Sequence, residues 1–481
     1  MSEHCGFVVE VKHLRQHTNA DRLQIATFFG NDVCVGTNVE LGNIGIYFPS
    51  DLQLSEEFCE VNNLVRKKDE TGNNIGGYLD PNKRNVTAIR LRGEKSDGIF
   101  IDLHSLAYTG IDLNTLSIGD RISIVNGHEI CCKYIPRSNS RANISNGNRT
   151  RKKKIAVSPL FAEHADTEQL AYNLGAFRPG DEIEITLKMH GTSQRTGYLP
   201  ILKGYKRTVL DCFLRREGTP IYDWGYVSGT RRVVLDNYES GYYGNNEFRE
   251  IHSKTFEGKL WKGETVYYEV VGFTQTGASI MGDGNNKKLN DKEFIKKYGE
   301  TTVFSYGCSP SGKRTLYGKD EEGHFSIEEN TPQSDMYVYR MTMTNEDGNV
   351  IEYTPNFMRY RCEQMGVKTV PVFWNGIIAP TDIIEGNQNY ACWCNGWLGA
   401  CGSESAIGEM VKEIAENFYD GPDPIGKTHI REGVVVRILN RPKFTAFKHK
   451  NFSFKVLEGI IKDSATAPDI EEAEETNNDN N

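Results

Sequence analysis

Short alternations of apolar and polar positions fill the first 135 residues of this chain. Phe7–Val11, Leu23–Phe29, Asp32–Val35 and Ile44–Phe48 are β-rich runs separated by Asn and Gly turns, and Val86–Leu91 and Arg121–Val125 continue the series. Period-two runs bounded by turn residues predict strands. Many short strands in succession predict a small closed barrel. Beyond Phe161 the pattern turns to mixed α/β. Asp181–Ile185 alternates and predicts a strand, as do Thr265–Phe273, Thr301–Tyr306, Met336–Thr344 and Gly433–Leu439. Ser405–Glu416 carries apolar residues at helical spacing, and Asp166–Leu170 reads as a helix start. There is no internal repeat.

Two stretches break the pattern. Pro136–Thr150 is rich in Ser, Asn and Arg and runs into Arg151-Lys152-Lys153-Lys154. This reads as a linker, either merely solvated or touching phosphates. Asp463–Asn481 holds seven acidic residues and no basic one, which predicts a disordered tail. The expected class is therefore α+β: an N-terminal OB-like barrel at 1–135, a basic linker at 136–158, a mixed α/β domain at 159–462 and an acidic tail at 463–481. The OB-like barrel is the commonest nucleic-acid-binding form of such a barrel; one used only for packing is the plainer alternative.

Composition narrows the class further. A chain of 481 residues suits about two or three domains. With 38% hydrophobic and 25% charged residues it reads as soluble and globular. No apolar run approaches the roughly 20 residues that span a bilayer, and Met1–Cys5 has no signal-peptide pattern, so the expected location is cytoplasmic. Eleven irregularly spaced cysteines fit reduced thiols in a cytosol. A net charge of −9 argues at first against a nucleic-acid partner. Removing the tail's seven negative charges leaves −2, so a local basic groove is permitted.

Candidate chemistry begins at the end of the Asp181–Ile185 strand, in Thr186-Leu187-Lys188-Met189-His190-Gly191-Thr192-Ser193. Lys188 stands at the strand end, Gly191 allows backbone to approach a ligand closely, and Thr192 and Ser193 add hydroxyls. A lysine amine that loses its proton is a nucleophile; a surface lysine in a strand-to-loop turn is the plain alternative. Four further stations follow in order. Ser228-Gly229-Thr230-Arg231-Arg232 reads as leading a strand. Glu269 lies in the apolar Tyr267–Gly272, and Glu432 precedes Gly433-Val434-Val435-Val436. Lys448 and Lys450 sit two apart, on one face of a strand. Charges in apolar strands need partners, and a triphosphate with a divalent cation supplies them.

This ordered set resembles the covalent nucleotidyltransferases, the polynucleotide ligases and mRNA capping enzymes. Lys-x-His-Gly, with His190 where DNA ligases and capping enzymes usually carry Asp, is typical of RNA ligases. Asn19–Leu23 and His164–Leu170 resemble the Deinococcus-type RNA ligases, which place an OB domain before an ATP-grasp-like nucleotidyltransferase domain. The resemblance covers nearly the whole chain except the tail. It implies that Lys188 becomes a lysyl-adenylate and that His190 and Gly191 line the nucleotide site. Arg231 or Arg232 would lie near the reactive phosphates. Glu269 would bind the ribose and, with Glu432, a metal. Tyr339 would stack on adenine, and Lys448 and Lys450 would face phosphates. It further implies ATP with Mg²⁺ or Mn²⁺, nicked or broken RNA as partner, and a role in RNA repair, with a monomer as the default state. Leu187 departs from the family pattern, which often places Glu there to help read adenine.

Two motifs compete weakly. Gly307-Cys308-Ser309-Pro310-Ser311-Gly312-Lys313 fits a phosphate loop, but Arg314 replaces the metal-binding hydroxyl and no helix is expected after it. Cys392, Cys394 and Cys401 lack a fourth zinc ligand at standard spacing. Two other readings stay open: another covalent nucleotidyltransferase (DNA ligase or capping enzyme), and a non-catalytic RNA-binding protein.

Overall fold

The computed structural model describes residues 4–135 except 69, 73 and 74; 158–312 except 166, 210–212, 215, 217, 232, 236–237 and 239–245; 331–380; 390–393; and 405–463. The basic linker, the acidic tail beyond Asp463, Arg232, Cys394, Cys401, Lys313 and Arg314 lie outside the described residues. The fold is mixed α/β, in two compact units.

The first unit takes the N-terminal residues together with Gly284–Thr301 and, among the described residues, 450–463. Its main sheet is antiparallel, with Gly6–Glu10 between Arg121–Ile122 and Ile44–Phe48, and Ile99–Asp102 on the outer edge. Alternation drives inward one face of these strands: Val8, Ile46 and Phe48 are fully buried against Phe58 and Leu106. Leu14–Gln16, Leu23–Phe28 and Asn31–Gly36 form a separate meander, and Ala88–Leu91 pairs with Glu94–Asp97. No hydrogen-bonded ring closes these sheets into a barrel among the described residues. One reason is visible at Arg121–Val125, expected as one strand. It divides at Ser123, whose carbonyl accepts the Ile130 and Cys131 N–H groups, so Arg121–Ile122 and Ile124–Val125 join different sheets. The two late segments are tied in by charge. Lys455 reaches Asp97 at 2.6 Å from the Phe452–Asp463 helix, and Arg90 reaches Asp291 at 2.9 Å.

The second unit holds two sheets. In the first, the order is Glu168–Gln169, Thr445–Lys450, Gly433–Ile438, Glu182–Lys188, Val372–Pro380, Tyr390–Trp393. Glu182–Lys188 is central and buried on both faces. Ile183, Ile185 and Leu187 enter the core, and Glu184 on the opposite face is neutralised by Arg359 at 2.7 Å. The Ser405–Tyr419 helix covers this sheet with Ile407, Val411 and Ala415, a stripe at i, i+4 and i+8. The second sheet runs Val234–Leu235, Thr219–Gly229, Thr192–Lys206, Glu264–Gly272, Ser334–Thr344, Val350–Glu352. The Pro355–Met365 helix packs Met358, Cys362 and Met365 on it. That helix starts at the Thr354 N-cap with Pro355 in its first turn and stops at left-handed Gly366.

Three local expectations change. Asp166 lies outside the described residues. After it, Glu168–Gln169 pairs in parallel with Phe447–Lys448, and only a 3₁₀ turn, Leu170–Tyr172, follows. Backbone pairing thus outweighs the local helix signal. Thr301–Tyr306 keeps only Thr301–Thr302 as strand, because Ser305 N–H turns back to the Val303 carbonyl and Tyr306 takes φ 47°. Ser228–Arg232 leads a strand of only two residues, Val234–Leu235: Ser228–Gly229 ends the Thr219–Gly229 strand, Thr230 closes a turn onto Val233 with Arg231 inside it, and the short strand folds back on Ser228–Gly229. Among the described residues no helix is long and apolar enough to cross a membrane.

Candidate active site

Lys188 ends the central strand of one sheet, and Thr192 begins a long strand of the other. The chain changes sheets over Met189-His190-Gly191. The lysine therefore stands at a seam, where both sheets can supply groups. Its register partner is Gly433, at φ 152°, a backbone region open to glycine. That pairing sets the preceding residue, Glu432, beside Lys188: Nζ to Oε1 is 2.7 Å. Glu432 is 2% exposed and the Lys188 side chain 22%, so the carboxylate is buried while the amine keeps an outlet. His190 Nδ1 lies 3.5 Å from the other Glu432 oxygen.

Glu269 arrives from the second sheet, paired in register with Ser193. Gly191 has a steric reason here: a Cβ would stand 2.5 Å from the Val270 carbonyl oxygen and 2.8 Å from Glu269 Cγ. Glutamate and nucleophile loop thus meet at the glycine. The Tyr306 hydroxyl accepts the His190 N–H at 2.7 Å. Burial raises its pKa well above normal, and Asp423, Glu432 and Glu269 nearby push the same way. Lys188, His190, Glu432 and Glu269 therefore share one neighbourhood.

Tyr339 is the extra residue of a bulge. Tyr267 pairs with Arg340 and Tyr268 with Val338, leaving Tyr339 between them, and bulges re-aim side chains. Its hydroxyl meets Ser193 Oγ at 3.1 Å, and its half-buried ring meets His164 edge-on at 5.1 Å. Arg231 presents its carbonyl to Arg195 at 2.6 Å. Lys448 is half-buried in the Thr445–Lys450 strand, next in the sheet to the strand that follows Glu432. Lys450 ends that strand differently: its Nζ is 2.7 Å from Glu458 and 5.7 Å from the Phe454 ring. Leu187 is 2% exposed and packs in the core.

Several residues act here without having been picked from the sequence. Buried Arg249 donates to the Ser193 carbonyl at 3.1 Å and to Thr192 Oγ1, holding the strand start. His164 accepts from Arg340 at 3.2 Å; loss of solvent and the cations Arg340, Arg231, Arg195 and Arg437 drive its pKa far down, so the ring is neutral. Behind His190, Phe304 and Tyr306 both meet the ring of fully buried His429. The His164–Leu170 segment was visible as a motif. Tyr306, Arg249 and His429 offered no signal beyond being polar residues near apolar runs.

The phosphate-loop candidate ends in a turn at Gly307–Gly312, with its lysine outside the described residues. Cys392 lies on a short strand, and its two companions are not described.

No protein-family model and no curated protein matches the chain. Among solved structures it is similar to the Naegleria gruberi RNA ligase. A lysine-to-alanine variant with ATP and Mn is 16% identical at TM-score 0.49, with 94% of this chain and 98% of that chain covered. The same ligase with pyrophosphate is 15% identical at 0.48, covering 94% and 97%. A variant without ligand is 14% identical at 0.49, covering 95% and 98%. Likeness at this level carries no statement about function, which has to come from the side-chain geometry.

Proposed function

We propose that the chain is an ATP-dependent RNA ligase of the covalent nucleotidyltransferase kind, similar to the Deinococcus type, working in RNA repair. The observation that carries this reading is the Lys188–Glu432 pair at the seam of two sheets, with Glu269 reaching the same loop at Gly191. The Lys188 amine attacks the α-phosphorus of ATP; an N–P bond forms, and the bond to pyrophosphate breaks. An ammonium cannot attack, so its proton leaves to solvent first, through the outlet the amine keeps, and Glu432 at 2.7 Å fixes where the amine stands. AMP then passes to an RNA 5′-phosphate, and a 3′-hydroxyl displaces it. Tyr339, held by Ser193, offers a ring face to adenine, and Lys448 offers charge to phosphates.

The donor set fits a hard divalent cation. Mg²⁺ or Mn²⁺ is held by one or two carboxylates plus phosphate oxygens, and Glu432 and Glu269 are two such carboxylates. When bound, the cation would neutralise charge on the triphosphate. The first unit, with its small sheets, is assigned the OB-like role of gripping RNA backbone.

Incubation with α-labelled ATP and Mg²⁺ should leave a covalent label that Lys188→Ala abolishes; a label surviving that substitution removes the assigned nucleophile. ATP against GTP, and RNA against DNA ends, separates this reading from a capping enzyme or a DNA ligase. Binding of RNA with no adenylate at all would leave only a non-catalytic RNA-binding protein.

A further inference from the structure

The strands Thr192–Lys206 and Thr219–Gly229 form a hairpin much longer than its site needs. Pairing with Glu264–Gly272 ends at Gly197, and the Tyr198 carbonyl accepts the Gly263 N–H at 2.9 Å; beyond Tyr198 the ribbon is two-stranded among the described residues. Registers Tyr198↔Tyr226, Pro200↔Trp224, Leu202↔Tyr222 and Tyr205↔Pro220 set these residues on one face. The result is an aromatic ladder. Tyr198 stacks on Tyr226 at 4.7 Å and meets Trp224 at 5.7 Å; Tyr222 and Tyr205, farther out, are each 43% exposed. Steps of two residues put successive rungs about 7 Å apart. Both faces start as core: Leu199 and Val227 are buried against Phe161 on one, and on the other Tyr198 and Tyr226 pack on the cluster of Phe256 and Leu260, so the open rungs are the outer ones, Tyr222 and Tyr205.

Cations accompany the rings. Lys262 Nζ lies 5.2 Å over the Trp224 ring, and Lys203, Lys206, Arg207 and Arg216 are exposed along the outer half, Lys206 on the face opposite Tyr205. Between Tyr198 and Tyr226 the sequence has five basic and three acidic residues, a positive stretch in a chain of net charge −9. Rings with a sequence-tolerant stacking face, interleaved with positive charge, are how proteins hold single strands.

We propose that this face is a stacking platform for single-stranded RNA. The identity of the strand as RNA rests on the ligase reading; the platform itself rests on the ladder and its cations. The test is fluorescence anisotropy of a short labelled oligouridylate with the full chain, comparing wild type, Tyr205→Ala/Tyr222→Ala and Tyr205→Phe/Tyr222→Phe. The alanine pair should bind roughly ten-fold or more weakly, and the phenylalanine pair should match wild type. Lysine adenylation, which uses neither residue, should continue in both. Equal RNA affinity in the alanine pair overturns the platform, as does weakening in both pairs alike, or a wild type that adenylates itself yet does not hold the oligonucleotide. Unchanged RNA affinity with altered self-association reassigns the face to a protein contact. A wild type that binds RNA through these rings but never forms an adenylate overturns the ligase reading and leaves the platform standing.

Discussion

Replacing Tyr306 by phenylalanine removes one oxygen and keeps the ring that meets His429 at 4.5 Å. That oxygen accepts the His190 N–H at 2.7 Å, with Tyr306 2% and His190 8% exposed. A buried donor deprived of its acceptor costs about 1–3 kcal/mol. In a domain of this size each kcal/mol lowers Tm by about 2–4 °C, so a drop of several degrees is expected. The chemical consequence follows from position. His190 is two residues beyond Lys188, and its N–H anchors the step between the two sheets. With that anchor gone, displacement of the amine by about 1 Å would slow adenylation by on the order of 100-fold. Single-turnover labelling with α-labelled ATP reads the rate, and a thermal melt reads the stability. Wild-type labelling in a protein whose Tm has fallen would show that the hydroxyl supports the fold without positioning the lysine. An unchanged Tm would refute the hydrogen bond itself.

Gly191→Ala should push a methyl into the Val270 carbonyl and Glu269. A loss of about 1–3 kcal/mol is expected, with a larger proportional loss in labelling than in Tm; equal activity would mean that the two sheets separate there freely. Arg361→Met takes two 2.8 Å bonds and the counter-charge from Glu264, which is 0% exposed and keeps only the neutral donors Tyr353 Oη and Trp261 N–H. The cost should be about 3–5 kcal/mol in urea denaturation, partly recovered in Arg361→Met/Glu264→Gln; a single variant as stable as wild type contradicts the burial. Burial lowers the His252 pKa to about 4, while its ring meets Ser334 at 2.9 Å. The folded form therefore resists a proton that the unfolded chain accepts near pH 6.5. Its contribution is complete above that pH and is lost as pH falls toward 4, by about 3 kcal/mol. His252→Gln should flatten the stability profile in that window, and a profile unchanged by the substitution rules the titration out.

Local pattern was enough for much of this protein. The strand ending at Lys188, the apolar strands carrying Glu269 and following Glu432, and the Ser405–Tyr419 helix all follow from period-two and period-3.6 spacing, because those periods decide which side chains can be buried together. Charge inside such runs marked Glu269 and Glu432 as residues in need of partners. Which partner each one meets was a matter for tertiary structure. Glu432 reaches Lys188 only because an antiparallel register pairs Lys188 with Gly433, across more than half the chain. The same holds for Tyr306 under His190, Arg249 on Ser193 and Arg340 on His164: each bond joins segments whose separation in sequence leaves no local trace. The broken strand at Ser123 belongs here too. Its carbonyl could serve one ladder or a turn, and long-range pairing chose the turn. Periodicity reports what a segment can bury; sheet order and register, set by packing of the whole, determine what it buries against.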